Sequence, residues 1–362
     1  MNDFRLKYSE YMQWAKENAH ITYNLAASGL MNYPEPIFNP SKQIIEISGD
    51  DHYGYAPLVD AIADKYKIST EMVFTTIGSS MANYITMALL IDTGDDIIIE
   101  HPTYELLIST AKNLGANVIY LPRPVENQYL INPDDLKSCI TQNTKLVILT
   151  NLHNPSSALT DNETLKEIGK IAKKVGAYVL IDEVYLDSAF SNSVNSSIHT
   201  SDNFIVTSSL TKVYGLSGLR CGWTLAQPDV IKQLWRLSDL MYVKHALPAE
   251  ILSVNAFSKL DKIKQWAKLI LEKNRIELKE FFKNQEDLEV DIFDYGMTVF
   301  PKLKNIGVDQ LNTTLIKKYD TIIAPGRFFG MPDHLRIGYG NDPEKFREGL
   351  HRLGEAISKT RK

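Results

Sequence analysis

The middle of the chain alternates short apolar runs with stretches whose apolar residues recur every three or four positions. The runs at 96–100, 117–121, 145–151, 178–182, 203–208 and 221–226 predict strands. Several are apolar throughout, as in strands buried on both faces. Between them, Thr160 and Glu163 predict a capping box. Leu165, Ile168, Ile171 and Ala172 then follow at helical spacing, and Gly176 stands where a helix-terminating glycine belongs. Pro57 opens another helix through Leu58, Ala61 and Ile62. The segment 81–91 is apolar nearly all round and predicts a buried helix. This alternation predicts an α/β fold, a mostly parallel sheet with helices on both faces.

The texture changes after about residue 250. Residues 256–282 predict one long, charged, amphipathic helix, and short strands follow at 288–293, 298–302 and 334–338. The expected organisation is a large domain over 46–255 and a smaller α+β domain over 256–362. Residues 1–45 contain the turn-like Tyr33-Pro34-Glu35-Pro36 and Asn39-Pro40 and are assigned to the smaller domain.

Composition narrows the function. The 362 residues are 44% hydrophobic and 23% charged, enough for a sizeable core. The net charge of -5 argues against nucleic acid as a partner. The two cysteines, Cys139 and Cys221, have no metal-binding or disulfide spacing, so no metal is expected. No apolar run approaches the ~20 residues that span a bilayer, and the first residues lack a signal-peptide core. A soluble cytoplasmic protein is expected, with no membrane partner.

The most informative stretch runs from Asn203 to Trp223. Between Asp202 and Arg220 its only charged residue is Lys212, placed after an apolar strand and a Ser-Ser turn. Gly215 and Gly218 are expected to allow close backbone approach. A lysine so isolated is desolvated, which disfavours the ammonium and frees the amine as a nucleophile toward an aldehyde. The planar fork of Arg220 suits a phosphate, or else pairs with a nearby carboxylate. Ser209 and Thr211 offer hydroxyls to the same anion, or else serve the turn itself.

Ser209-Leu210-Thr211-Lys212, with Gly215 and Arg220 beyond it, resembles the cofactor-attachment signature of the class I/II aminotransferases, the fold-type I enzymes that depend on pyridoxal 5′-phosphate (PLP). The likeness continues in chain order over roughly residues 20–345. It implies that Lys212 carries PLP covalently. Gly78-Ser79-Ser80 opens the predicted helix at 81–91, where a helix N-terminus favours an anion, and the resemblance puts the cofactor phosphate there. The family often has an acid where this chain has Met81. Tyr104 follows the 96–100 strand, and in the family this aromatic stacks on the pyridine ring. Asn154, in Asn154-Pro155-Ser156-Ser157, corresponds to the donor to the cofactor's phenolic oxygen and also lies at the substrate. Here Ser157 replaces the usual glycine.

Asp182 closes a buried apolar strand, a costly place for a carboxylate without a positive partner. The resemblance makes that partner the protonated ring nitrogen and gives Tyr185 the phenolic oxygen. Arg336, inside another apolar strand, corresponds to the residue that grips the substrate carboxylate. Gly29 lends that carboxylate a backbone donor, or is only part of a turn. Tyr53, with Tyr55 as the alternative, resembles the tyrosine that reaches the phosphate of a partner subunit.

The implied function is transfer of an α-amino group between an amino acid and a 2-oxo acid, by a homodimer with shared sites. Three alternatives stand beside it. The same fold hosts PLP-dependent β-lyases, decarboxylases and cyclases or synthases. A non-enzymatic PLP-binding regulator is disfavoured, because such proteins carry a DNA-binding domain before this part. A nucleotide-binding α/β domain lacks its glycine-rich sequence here.

Overall fold

The computed structural model describes residues 8–37, 45–49, 52–191 and 193–360. In chain order the elements of the first two thirds are α1 (Glu10–Glu17), β1 (Tyr23–Asn24), α2 (Ala56–Tyr66), β2 (Val73–Thr76), α3 (Ser79–Leu90), β3 (Asp96–His101), α4 (Glu105–Asn113), β4 (Asn117–Pro122), α5 (Pro133–Cys139), β5 (Thr144–Thr150), α6 (Asn162–Lys174), β6 (Tyr178–Asp182), β7 (Phe204–Ser209), β8 (Gly222–Leu225), α7 (Pro228–Ser238) and α8 (Leu247–Phe257). The remainder comprises α9 (Leu260–Lys283), β9 (Leu288–Glu289), β10 (Thr298–Val299), β11 (Lys302–Leu303), α10 (Val308–Tyr319), β12 (Thr321–Ile322), β13 (Ala324–Pro325), β14 (Leu335–Gly338) and α11 (Pro343–Thr360).

Seven strands form the central sheet in the order β2-β8-β7-β6-β5-β3-β4. β4, β3, β5, β6 and β7 are parallel, and β8 runs antiparallel to both of its neighbours. The apolar runs explain why the sheet is covered on both sides. Ile97, Ile99, Leu146, Ile148, Leu180 and Ile205 point to one face and join a core that includes Ile85 of α3, Leu107 of α4 and Leu234 of α7. Their neighbours Ile98, Val147, Leu149, Val179, Ile181 and Phe204 point to the other face, against Leu136 of α5 and Leu165 and Ile168 of α6. The predicted α/β fold with helices on both faces is therefore observed.

In the central sheet strand boundaries agree to within a residue, whereas the strands expected over 288–293 and 298–302 shorten to Leu288–Glu289 and Thr298–Val299; three further local expectations are corrected. The N-cap of α6 is Asp161, whose side chain accepts from the Thr164 N–H at 2.8 Å. Thr160 is drawn away to accept from Arg123 Nη2 at 3.1 Å, so the Thr160/Glu163 capping box does not form. Gly176 does follow the helix with φ +77°. The long helix predicted over 256–282 is two helices, α8 and α9, because the Lys259 N–H turns to Ala256 O and tightens the chain into a bend. The paired serines before Lys212 are the last residues of β7 rather than a turn.

Beyond α8 the chain forms small antiparallel pairings, β10-β14-β13 and β9-β11, with α9, α10 and α11 packed around them. The N-terminal segment joins this region, since Tyr23–Asn24 pairs in parallel with Thr321–Ile322. The Tyr33–Pro36 stretch is irregular, and the Asn39-Pro40 turn lies outside the described residues. Among the described residues no helix is long and apolar enough to cross a membrane.

One buried ion pair ties the ends of three strands together. Arg123, just after β4, donates from Nη1 to Glu100 Oε2 at 2.6 Å and from Nε to Tyr129 O at 2.5 Å. Both side chains are fully enclosed. Glu100 also accepts the Thr150 N–H at 2.8 Å. Removing one partner strands the other charge in the core, so Arg123→Met is expected to destabilise the protein by about 3–5 kcal/mol. Denaturant unfolding checks this; a loss under about 1 kcal/mol would show that the pair is not the anchor it looks to be.

Candidate active site

The carboxyl ends of β3, β5, β6 and β7 lie along one edge of the sheet, and open α/β sheets bind ligands at that edge. Because β8 is antiparallel to both β7 and β2, the end of β2 reaches the same edge. A cleft of about 790 Å³ opens there, between the sheet edge, α1 and the start of α11. It brings together Ser79, Ser80, Tyr104, Asn154, Asp182, Tyr185, Thr211, Lys212, Arg220 and Gly29, which the sequence scatters over almost two hundred positions.

Lys212 sits in the loop after β7. Its Nζ donates to Ser28 Oγ at 3.1 Å, and burial lowers the amine below the ordinary lysine range. The loop is held down by the 30–33 segment. The Leu30 N–H donates to Lys212 O at 2.8 Å, and at Gly215 (φ +64°) a Cβ would meet Met31 O at 2.2 Å. Gly218, expected at another close approach, has open space around it.

Asp182 ends β6 inside the protein. Burial raises its carboxyl above the ordinary range, opposed by the Asn83 side chain, the Val184 N–H and the charge of Lys212. Asn83 Nδ2 donates to Asp182 Oδ2 at 2.7 Å, and Thr207 Oγ1 donates to Asn83 Oδ1 at 2.6 Å. Asn83 was absent from the sequence reading. It lies one helical turn beyond Ser79, so the helix that starts at Gly78 necessarily carries it over the sheet.

Among the described residues the Tyr185 hydroxyl, buried beside the cleft, makes no close hydrogen bond, and burial raises it above the ordinary phenol range, with the nearby Ser28 hydroxyl opposing the shift. Behind it, Tyr214 Oη donates to Asp187 Oδ2 at 2.7 Å, which ties the loop after β6 to the loop after β7. Burial opposes the charge on Asp187, yet Lys65 and Lys264 hold its carboxyl down to about 2.

An anion cradle lies at the start of α3. Gly78 is the N-cap at φ +93°, and a Cβ there would meet Arg220 Nη2 at 2.4 Å. Arg220 Nη2 donates to Ile77 O at 3.2 Å, so the guanidinium lies against the helix N-terminus beside Ser79 and Ser80. Gly78 and Ser209 stand behind the cleft wall; Ser209 Oγ accepts the Thr211 N–H at 3.2 Å. Arg336 is fully buried below the cleft, with Nη1 donating to Asn154 Oδ1 at 3.0 Å.

Tyr53 is not brought to the cleft of its own chain. It is exposed, lies tilted against Trp235 and donates to Asp239 Oδ2 at 2.7 Å. Tyr55 is the N-cap of α2 and is likewise outside the cleft lining. Among the described residues no cluster of ligating side chains suits a metal ion.

These residues fit PLP. An amine of lowered basicity would meet its aldehyde, a buried carboxylate its cationic ring nitrogen, a buried phenol its phenolic oxygen, and an arginine at a helix N-terminus its phosphate. The fold and the cleft thus define a fold-type I, PLP-dependent enzyme. The chain belongs to the class I and II aminotransferases, whose family model matches residues 47–353. An aspartate aminotransferase of Pyrococcus horikoshii is 26% identical over 348 residues, 89% of this chain and 89% of that protein. Capreomycidine synthase of Streptomyces vinaceus is 27% identical over 289 residues, covering 79% of this chain and 74% of that one. A PLP-dependent aminotransferase structure from Streptococcus suis superposes with a TM-score of 0.90 at 26% identity, covering 99% of this chain and 100% of that chain.

The half-buried position of Lys212 sets a measurable pH dependence. Enclosure disfavours the ammonium, so the free amine forms at lower pH than on an exposed lysine. In cofactor-free protein, competitive labelling with acetic anhydride across pH should give Lys212 a midpoint below 10.5, the ordinary lysine value. A midpoint at or above that value would contradict the desolvated amine.

Proposed function

We propose that the cleft transfers an α-amino group between an amino acid and a 2-oxo acid, with Lys212 as the base and acid that moves the proton at Cα. The observation that carries this is the enclosed amine of Lys212, lowered in basicity, in one cleft with Asp182. When bound, PLP supplies an electron sink for the pair left behind when a Cα bond breaks. Asp182, fixed by Asn83 and the Val184 N–H, would keep the ring nitrogen protonated. Arg220, Ser79, Ser80, Ser209, Thr211 and the Gly78 turn would hold the phosphate. Tyr185 and Asn154 would address the phenolic oxygen, and Tyr104 would lie against the ring. Arg336 anchors the substrate carboxylate with Asn154 and the Gly29 backbone. Lys212 would take and return the proton at Cα, and its desolvation favours the neutral amine that such a base needs.

The reading includes a homodimer. Ile47, Leu240 and Val243 are 85%, 84% and 61% exposed, and apolar surface of this kind favours burial against another chain. Tyr53 and Asp239 lie on the exposed surface near this stretch, which supports a role for Tyr53 at the phosphate of the partner subunit. The reading also puts the enzyme in the cytoplasm, where free thiols such as Cys139 and Cys221 persist.

The test is an exchange assay. Holoenzyme given a panel of amino acids with 2-oxoglutarate should form glutamate and the donor's 2-oxo acid in equal amounts. Lys212→Ala should lower the rate by about 10²–10⁴-fold or more, the usual share of a positioned acid–base group. Ammonia or a cyclised product without glutamate would move the enzyme to the lyases or cyclases of the same fold.

A further inference from the structure

Arg336 is unusually committed for a residue that must receive a ligand. Nη2 donates to Tyr11 Oη at 2.7 Å and to Ala26 O at 2.9 Å, while Nη1 donates to Asn154 Oδ1 at 3.0 Å. Nε is buried and has no partner among the described residues. A guanidinium has five N–H donors, two on each Nη and one on Nε. Both protons of Nη2 are taken. An arriving carboxylate therefore cannot receive two parallel bonds from the two Nη groups unless Tyr11 or Ala26 is displaced.

Tyr11 is not placed to leave. It is the buried residue of α1, and its ring meets Tyr104 edge-on at 5.6 Å and 85° and Phe328 at 5.3 Å and 68°. The helix is fastened on two sides. Ser9 donates to Glu105 of α4, and Glu10 pairs with Arg327. The Tyr11 hydroxyl accepts from Arg336, yet among the described residues no hydrogen bond is donated by Tyr11. Tyr11 lines the same cleft as Lys212, Asn154 and Tyr104. Its oxygen is occupied, its proton is free, and a bond to a guanidinium strengthens a hydroxyl as a donor.

We propose that Tyr11 is a substrate-binding residue whose hydroxyl donates to one oxygen of the α-carboxylate while its own oxygen stays on Arg336. The inference rests on the reading of Arg336 as the carboxylate anchor. Tyr11 supplies the second bond that Nη2 can no longer give, and the carboxylate spans the Tyr11–Arg336 pair instead of the guanidinium alone. Because the partner is charged, this hydrogen bond is worth more than a neutral one.

The experiment uses PLP-loaded enzyme and two probes that differ by one group. 2-Aminoisobutyrate carries an α-carboxylate and no Cα proton, so it binds without turnover. Isopropylamine is the same amine without the carboxylate. Dissociation constants are read from the absorbance change of the cofactor as each amine replaces Lys212. Tyr11→Phe keeps the ring contacts and should weaken 2-aminoisobutyrate by about tenfold or more, with isopropylamine changed by less than about twofold. Equal losses for both probes would mean that Tyr11 only shapes the site. Tighter carboxylate binding in the variant would mean that Tyr11 merely obstructs Arg336. Either result overturns the proposal while leaving the parent reading intact. Wild-type enzyme that responds to neither probe would overturn the reading of the cleft itself, and this inference with it.

Discussion

The structure is organised around the cost of keeping an amine and a carboxylate away from water in one cleft. Asp182 is buried and Lys212 is half-buried in the cleft, and each is pushed by desolvation toward its neutral form. Neither makes a direct bond to the other; Ser28 receives the amine, and Asn83 and the Val184 N–H receive the carboxylate. Such a site is stable only if the loops that carry the two groups are fixed. The sheet fixes them, because β6 and β7 are adjacent parallel strands whose ends define where Asp182 and Lys212 begin. The Tyr214–Asp187 bond then ties the following turns together. A molecule with a cationic nitrogen at one end and an aldehyde at the other would relieve both penalties at once.

Much of this was legible in the sequence for a simple reason. Strands buried on both faces must be continuous apolar runs, so their ends are visible as the points where polarity returns. Asp182, Asn154 and Lys212 all stand at or just beyond such points. The fold and the principal cleft residues follow from that rule together with the family likeness. What escaped has an equally physical cause. Asn83 looks like an ordinary polar residue in an apolar helix, and only the packing of α3 over β6 and β7 gives it two partners. Tyr11 lies on a helix of eight residues far from every motif. The break between α8 and α9 leaves the charged periodicity intact on either side, so no local signal marks it.

One departure from the family pattern acquires a structural meaning. Ser157 stands at the position where the family usually has glycine, and its φ is +70°, a conformation that costs an L-residue roughly 1–2 kcal/mol. Its side chain offsets part of that cost. Ser157 Oγ donates to Thr298 O at 2.8 Å and accepts the Thr298 N–H at 3.2 Å, while Thr298 Oγ1 donates to Pro155 O at 2.8 Å. The loop bearing Asn154 is thereby clasped to β10, the neighbour of the strand that bears Arg336. Asn154 and Arg336, which hydrogen-bond each other across nearly two hundred residues of sequence, are held in register by this clasp.

The most direct test is chemical. Reconstituting the protein with PLP, reducing it with borohydride and mapping the peptides should find a single pyridoxyl group, on Lys212. A group on any other lysine, or none at all, would contradict the account, since every other feature of the cleft is arranged around that amine.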